Sequence, residues 1–173
     1  MRIFKIAKDT GHEHSWVYID LPKEMCTLMK EFGEKIDSDD LFVGEADGGK
    51  ETDFHITVKY GLTTNDVADV KGRLEKEKGG SVHIGSSSIF EVDEYDVVKV
   101  TVESEDLLRI HTKLNELPHE DSHPDYQAHA TLAYVKSGTG KKYKGKFHIN
   151  KDFNFNEVFF GDLNGKDHKI KLK

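Results

Sequence analysis

The sequence predicts an α+β protein in which antiparallel or mixed β-sheets carry helices on their outer faces. Segments that alternate apolar and polar residues outnumber segments with helical periodicity, and the two kinds are interleaved along the chain. In addition, two matching His-containing segments lie about half a chain apart, which indicates two related halves around a central cleft. We therefore expect one domain that spans residues 1–173.

Three helices are predicted from apolar residues spaced three and four positions apart. They span about residues 22–35, 64–78 and 104–117. Ser104 is the expected N-cap of the third helix, because a serine hydroxyl accepts a hydrogen bond from the first helical turn. Each helix has one apolar stripe, so we expect each to pack one face on a sheet.

The strands are predicted from runs with period-two alternation. Nine such runs are present: residues 2–7, 15–20, 53–60, 82–91, 95–102, 128–135, 145–149, 154–160 and 167–172. The Gly-rich stretches between some of them are interpreted as loops within the domain, since they are short and carry no change in composition.

Composition excludes several classes of protein. The net charge of −7 disfavours a protein that coats duplex nucleic acid, because neutralising phosphates requires clustered Lys and Arg. The single cysteine, Cys26, excludes an internal disulfide and a Cys-rich zinc site. No apolar run reaches the about 20 residues of a membrane span, and the N-terminal sequence lacks a signal-peptide core. We expect a monomer in a reducing cytoplasm, with no membrane partner.

Two eight-residue segments match each other in residue type. Asp53–Tyr60 reads DFHITVKY and Gln127–Tyr134 reads QAHATLAY, so both contain His-x-Thr followed by a tyrosine three positions after the threonine. The two histidines, His55 and His129, are 74 positions apart, close to half the chain length. This spacing fits two half-domains related by duplication.

The alternation of a strand predicts which of these side chains share a face, because residues i and i+2 point the same way. The histidine and threonine of each segment then face the cleft, and the residues between them face the core. We expect His55, Thr57 and Lys59 on the cleft face of the first strand, His129 and Thr131 on that of the second, and Tyr60 and Tyr134 in the core as packing residues.

Two imidazoles that face each other across a cleft suit phosphodiester cleavage without a metal. A neutral histidine takes a proton from the attacking hydroxyl or water, and a protonated one gives a proton to the leaving oxygen. The hydroxyls of Thr57 and Thr131 can donate hydrogen bonds to the non-bridging phosphoryl oxygens. Which histidine is the base stays open at this point. His111, His119 and His123 match no strong ligand spacing, so we predict no metal and no cofactor.

The segments His55-Ile-Thr-Val and His129-Ala-Thr-Leu resemble the two signature motifs of the 2H phosphoesterase superfamily. That superfamily includes 2′–5′ RNA ligase-like proteins, 2′,3′-cyclic phosphodiesterases and related RNA-end enzymes. The resemblance implies a bilobal, pseudo-twofold α+β fold around a central cleft. It also implies that His55, Thr57, His129 and Thr131 are the catalytic residues.

Three longer segments resemble one subgroup, the phage anti-CBASS phosphodiesterases, which degrade cyclic oligonucleotide signals. These segments are Val17–Pro22, His55–Gly61 and His129–Lys136. For a phage-encoded member of this subgroup, the implied location is the cytoplasm of the host cell.

Four further residues are candidate substrate contacts. Trp16 and Tyr18 share one face of the predicted strand 15–20, from which aromatic rings could stack on a nucleobase. Lys59 follows His55 on the predicted cleft face, and Lys136 begins a lysine-rich stretch, so both are candidates to attract an anionic substrate. The alternative interpretation is ordinary packing for the aromatic residues and a solvated surface for the lysine-rich stretch.

We therefore predict a metal-independent phosphodiesterase that cleaves the 3′–5′ bonds of cyclic di- or trinucleotide immune signals. Two alternatives stay open. One is an RNA-end enzyme that opens 2′,3′-cyclic phosphates, as 2′–5′ RNA ligase-like proteins do. The other is a non-catalytic protein that sequesters cyclic nucleotides in the same cleft.

Overall fold

The computed structural model of the protein describes residues 12–44, 49–120 and 125–173. In these ranges the chain forms nine strands and three α-helices. The strands are β1 (Ser15–Asp20), β2 (Gly49–Lys50), β3 (His55–Leu62), β4 (Gly80–Glu91), β5 (Tyr95–Glu103), β6 (His129–Lys136), β7 (His148–Phe155), β8 (Glu157–Gly161) and β9 (Asp167–Lys171). The helices are α1 (Lys23–Glu34), α2 (Val67–Leu74) and α3 (Glu105–Leu114). The predicted strand at residues 2–7 lies outside the described ranges.

The strands form two antiparallel sheets. Sheet A has four strands in the order β3-β1-β8-β9, and sheet B has five strands in the order β2-β6-β5-β4-β7. At the edge of sheet A, β3 also contacts β6 of sheet B. The two segments that contain His-x-Thr therefore lie where the sheets meet. The predicted α+β class is confirmed, with antiparallel pairing in every ladder between these strands.

All three predicted helices are present, and each is shorter at its ends than predicted. Ser104 caps α3 as expected, since its Oγ accepts a hydrogen bond from the Leu107 N–H at 3.0 Å. Helix α2 begins later than predicted because Asp66 is its N-cap, with the carboxylate accepting a hydrogen bond from the Ala68 N–H at 2.9 Å.

The apolar stripes of the helices pack into one core that both sheets share. The buried apolar side chains of the helices are Met25 and Met29 of α1, Val70 and Leu74 of α2, and Leu107, Ile110 and Leu114 of α3. A smaller cluster of Tyr95, Val97 and Tyr134 forms apart from this core on sheet B. Among the helices of the described ranges, none is long and apolar enough to cross a membrane.

The predicted strands 145–149 and 154–160 are misplaced relative to β7 and β8. The reason is a buried hydrogen-bond hub in β4. Oγ of Ser87 donates to the Tyr143 carbonyl oxygen at 2.6 Å and accepts from the Phe147 N–H at 2.9 Å. These bonds hold the 3-10 turn at Gly140–Tyr143 against β4, so that the next strand starts only at His148.

Gly61 provides a test of how β3 is held. It has a φ of +87°, and a Cβ atom there would overlap the backbone oxygen of Glu120, whose N–H donates to the Gly61 carbonyl at 2.8 Å. We expect Gly61→Ala to lower the free energy of unfolding by about 1–3 kcal/mol, measured by chemical denaturation. The matched control, Gly72→Ala in α2, has open space around the added methyl and should stabilise by up to about 1 kcal/mol. Wild-type stability of Gly61→Ala would contradict this packing.

Candidate active site

The two histidines occupy equivalent places, at the first residues of β3 and β6. Nδ1 of His55 donates a hydrogen bond to the Asp53 carbonyl oxygen at 2.9 Å. In the same way, Nδ1 of His129 donates to the Gln127 carbonyl oxygen at 2.9 Å. Because a carbonyl oxygen only accepts, Nδ1 carries the proton in both rings. When either ring is neutral, its Nε2 therefore keeps a lone pair for a substrate.

A β-bulge follows Thr57 in β3. Thr57 pairs with Tyr18 of β1 whereas Lys59 pairs with Val17, so Val58 is an extra residue. Paired residues point to the same side of a sheet, and Lys59 therefore lies on the side of the core residue Val17, with 1% of its surface exposed. The expectation that Lys59 shares the cleft face with His55 and Thr57 is wrong, because the bulge reverses the alternation after Thr57.

An equivalent bulge follows Thr131 in β6. Thr131 pairs with Lys99 of β5 whereas Ala133 pairs with Val98, so Leu132 is the extra residue. The two strands thus repeat each other in backbone irregularity as well as in residue type. This correspondence supports the duplication that the sequence indicates.

The bulges also change the faces of the two tyrosines. Tyr60 pairs with Trp16, is half-buried, and places its hydroxyl 3.5 Å from Nδ1 of His14. Tyr134 pairs with Val97 and is fully buried in the smaller cluster on sheet B. The packing role predicted for Tyr134 is confirmed, whereas the placement of Tyr60 in the core is wrong.

Side chains from outside the sheet hold the bulge in β3. The Val58 carbonyl oxygen accepts a hydrogen bond from Nδ1 of His111 at 2.7 Å. The Thr57 carbonyl oxygen accepts one from the Tyr126 hydroxyl at 3.0 Å. The rings of His111 and Tyr126 stack on each other with centroids 4.1 Å apart. Together these contacts position the Thr57 segment, although neither residue was singled out from the sequence for this role.

The bulge in β6 is tied to the other histidine motif. The Leu132 carbonyl oxygen accepts a hydrogen bond from the Glu51 N–H at 2.8 Å. The Glu51 carboxylate in turn accepts hydrogen bonds from the N–H groups of Thr52 and Asp53 at 2.9 and 3.1 Å. Asp53 is the residue whose carbonyl orients His55. One short turn therefore couples the orientation of the first imidazole to the backbone of the second motif.

His129 is buried and electrically neutral at pH 7. It is 9% exposed, and its ring meets the Phe90 ring edge-on at 4.9 Å. Burial, with contributions from the charges of Lys99 and His55, lowers the pKa of His129 to about 4. The contacts between β3 and β6, whose first residues are His55 and His129, place the two histidine strands at the same junction of the sheets.

His55 is half-buried and has acidic and aromatic neighbours. The Trp16 and Tyr18 rings meet it edge-on at 5.0 and 5.7 Å. Asp20 lies directly opposite it in β1. Burial and the Asp53 carboxylate raise the pKa of Asp20, whereas the His55 charge lowers it.

Trp16, Tyr18 and Phe159 form a row of stacked rings beside His55. Trp16 and Tyr18 stack with centroids 4.3 Å apart, and Tyr18 and Phe159 with centroids 5.3 Å apart. Burial and the adjacent Asp167 raise the pKa of Tyr18, so its phenol stays protonated. The structure brings both predicted aromatic residues to His55. Phe159 was not among the predicted contacts. Adjacent residues of a strand point to opposite faces, so the Phe159-Phe160 pair was bound to place one ring on each face.

Lysines near the two motifs are placed differently from expectation. Lys136 lies at the opposite end of β6 from His129, and its Nζ donates to the Asp39 carbonyl oxygen at 2.8 Å. The structure therefore does not bring Lys136 to the histidines. Lys99, which was missed, lies opposite Thr131 and is 6% exposed. The sequence indicates that Lys99 is unusual only by its position, because it is the one charged residue in the valine-rich run at 97–102 of β5.

Three side chains of metal-ligand type lie close together beside Tyr60. In the described part of the chain, Glu13, His14 and Glu120 bring one potential ligand atom each within 4.8 Å of the others. An ion pair of 2.8 Å joins His14 to Glu120. His119 donates from Nδ1 to the Leu117 carbonyl oxygen at 2.7 Å, and His123 lies outside the described residues.

Several solved structures share this fold. E. coli LigT complexed with 3′-AMP is 13% identical, with a TM-score of 0.62 over 95% of this chain and 96% of LigT. TT0787 of Thermus thermophilus is 14% identical, with a TM-score of 0.61 over 92% and 95% of the two chains. Kluyveromyces marxianus Usb1 with uridine monophosphate is 9% identical, with a TM-score of 0.56 over 92% and 98%. The chain thus has the α+β fold of the LigT-like 2H phosphoesterases.

A family model narrows this class. The model of the anti-CBASS protein Acb1 matches residues 44–169, which include both histidine motifs. The chain belongs to the Acb1 family of anti-CBASS proteins, and it is a phosphodiesterase of the 2H type. No protein of curated function matches the sequence.

The buried His129 predicts a pH dependence of stability. Its pKa falls from 6.5 to about 4 on folding, so between these values the unfolded chain binds the proton more tightly. The neutral His129 should contribute fully to the free energy of unfolding above about pH 6.5. This contribution, up to roughly 3 kcal/mol, should be lost as the pH falls toward 4. Denaturation of wild type and His129→Gln at both pH extremes measures it.

The matched control for this measurement is His148→Gln, because His148 is an exposed histidine of β7. It should keep the wild-type pH dependence, whereas His129→Gln should lose the part that His129 supplies. An identical pH dependence in wild type and His129→Gln would contradict a buried, neutral His129.

Proposed function

We propose that the protein cleaves 3′–5′ phosphodiester bonds of cyclic di- or trinucleotide immune signals, with His129 as general base and His55 as general acid. The observation that carries this proposal is the pair of imidazoles whose matching Nδ1–H bonds leave both Nε2 atoms for the substrate. Membership of the anti-CBASS family supports the class of substrate.

The environment of His129 favours the role of base. A general base must be unprotonated before it acts, and burial beside Lys99 keeps this imidazole neutral. Nε2 of His129 accepts the proton of the attacking group, which is the ribose 2′-hydroxyl or a water. The oxygen–phosphorus bond then forms as the O–H bond breaks, and His129 becomes an imidazolium whose Nδ1–H still donates to the Gln127 carbonyl.

The environment of His55 favours the role of acid. A general acid must carry its proton before it acts, and with His129 as the base His55 is the imidazole left for this role, opposite Asp20 in β1. His55 is also half-buried, so solvent can return its proton after each cycle. Nε2–H of His55 gives its proton to the leaving oxygen as the bond from phosphorus to that oxygen breaks.

The threonines complete the proposed reaction centre. Each lies two residues after its histidine and precedes the bulge, so it shares the histidine's face at about 6.6–6.8 Å along the strand. From there the hydroxyls of Thr57 and Thr131 donate to the non-bridging oxygens, which gain negative charge as the nucleophile adds. In this scheme the chain's own residues perform both proton transfers, with no metal ion required.

The surroundings of His55 suit a nucleotide. The stacked row of Trp16, Tyr18 and Phe159 offers flat ring faces for a base. A groove of about 410 Å³ opens between the end of β1, the first two turns of α1 and the turn before His55. Lys23 and Lys30 line this groove together with Asp20 and Asp53, and the two lysine charges suit a second phosphate.

A second candidate function is the opening of 2′,3′-cyclic phosphates at RNA ends. It is favoured by the fold shared with LigT, solved with 3′-AMP, and with Usb1, solved with uridine monophosphate. The same acid–base pair would serve this reaction, with water as the nucleophile.

The histidine pair can be tested by chromatography of cyclic dinucleotides incubated with the protein in excess EDTA. Wild type should produce a linear product. His55→Ala and His129→Ala should each reduce turnover by about 10²–10⁴-fold, because each removes one proton transfer, while cyclic-dinucleotide binding is partly kept. The control His148→Ala, on β7, should turn over at the wild-type rate.

The other possible outcomes of this experiment distinguish between the candidate functions. Wild-type turnover by either histidine variant would refute the mechanism. Cleavage of a 2′,3′-cyclic mononucleotide but no cyclic dinucleotide would favour the RNA-end function. Recovery of intact cyclic dinucleotide from a denatured complex, with no product from wild type, would favour sequestration.

The aromatic row predicts a separate effect on affinity. Trp16→Ala removes a stacking face and should raise the KM for a cyclic dinucleotide by about 5–150-fold, with a smaller change in kcat. Trp16→Phe keeps an aromatic ring and should stay within a few-fold of wild type. An unchanged KM in Trp16→Ala would remove Trp16 from the proposed binding site.

A further inference from the structure

Lys99 is a buried cation in the middle of sheet B. It lies in β5 between Val98 and Val100, and it is 6% exposed. Burial lowers the pKa of Lys99, since the ammonium group loses hydration. A buried lysine is normally retained only where an anion or a function compensates that loss.

The Lys99 ammonium rests on an aromatic ring. Its Nζ lies 4.1 Å from the centroid of the Phe90 ring. The Phe90 ring in turn meets His129 edge-on at 4.9 Å. In the described part of the chain, no carboxylate forms an ion pair with Lys99. Among these residues the cation thus lies in the cleft without a negative partner.

The register of sheet B places this cation beside the proposed reaction centre. Lys99 pairs directly with Thr131, and Thr101 pairs with His129. Paired side chains share a face and have Cβ atoms about 4.5–5.5 Å apart. A phosphoryl oxygen bound by the Thr131 hydroxyl therefore lies within reach of the flexible Lys99 side chain.

We propose that Lys99 binds a non-bridging phosphoryl oxygen of the substrate, beside Thr131. This proposal rests on the proposed function of the same site and adds a residue to it. A phosphodiester carries one negative charge, and it gains more as the nucleophile adds. The ammonium supplies the opposite charge in a low-dielectric place, where the attraction is strong.

A purely structural role is the competing explanation, because Lys99 also supports the Phe90 ring that packs on His129. The two roles differ in what they predict for anion binding. A substrate contact requires a positive charge at this position and acts on one oxygen of the phosphate. A structural support would act through the shape of the cleft and would not distinguish between phosphate oxygens.

The first experiment measures binding of inorganic phosphate, followed by the imidazole NMR signals of His129. Wild type should show saturable shifts at millimolar phosphate, and Lys99→Met should bind at least ten-fold more weakly. Lys99→Arg keeps the charge and should stay within about three-fold of wild type. The control Lys71→Met removes an exposed lysine of α2 and should match wild type. If Lys99→Met does not fold, Lys99→Gln takes its place.

Two results of the phosphate titration would overturn the proposal. One is an unchanged phosphate affinity in the folded Lys99→Met variant. The other is the absence of any phosphate-dependent shift at His129 in wild type. Neither result depends on which nucleotide is the substrate.

The second experiment compares turnover of cyclic dinucleotides with an Rp or an Sp phosphorothioate. Lys99→Met should lower kcat by about 10²–10³-fold on the normal substrate, and it should reduce the wild-type preference between the two diastereomers. Equal slowing of both diastereomers would indicate the structural role instead. If wild type cleaves no cyclic dinucleotide but binds phosphate in a Lys99-dependent way, the proposed substrate is wrong and the role of Lys99 stands.

Discussion

One extra residue after each His-x-Thr sequence determines which side chains reach the cleft. With Val58 and Leu132 inserted into their strands, the histidine and threonine stay on one face while Lys59 turns toward the core. The carbonyl oxygen of each bulge residue is also bonded: that of Val58 accepts from the His111 ring of α3, and that of Leu132 accepts from the Glu51 N–H next to β2. The bulges therefore orient the polar side chains toward the cleft and connect the two sheets and α3 around them.

The duplicated motifs have equivalent backbones but unequal surroundings, and this inequality is what acid–base chemistry requires. His129 is buried beside the Lys99 cation, which disfavours its protonated form. His55 is half-buried opposite Asp20, beside the Trp16 and Tyr18 rings, and it stays open to solvent. Two identical imidazoles in identical surroundings would compete for the same protonation state. Neighbours contributed by β1 and β5, outside the repeated segments, make possible the separate roles that we propose.

Local patterns in the sequence were sufficient for the α+β class, the three helices, most strands and the placement of both histidines in strands. They were also sufficient to bring Trp16 and Tyr18 to His55, since alternation in β1 is regular there. They failed where pairing between distant segments decides the outcome. A period-two pattern contains no information about a bulge, so Lys59 and Tyr60 were assigned to the wrong faces. Lys99 was missed because its relation to Thr131 exists only in the register of β5 with β6.

In the described ranges no carboxylate forms an ion pair with Lys99, and this affects how strongly the site can bind a phosphate. If an acidic side chain neutralised the ammonium, an incoming phosphate would have to displace it, and the gain on binding would be small. A cation supported by the Phe90 ring is held in place without being neutralised. Its interaction energy is then available to the substrate and grows as negative charge develops on the phosphoryl oxygens. A residue that destabilises the free protein can in this way contribute most where catalysis needs it, in the transition state.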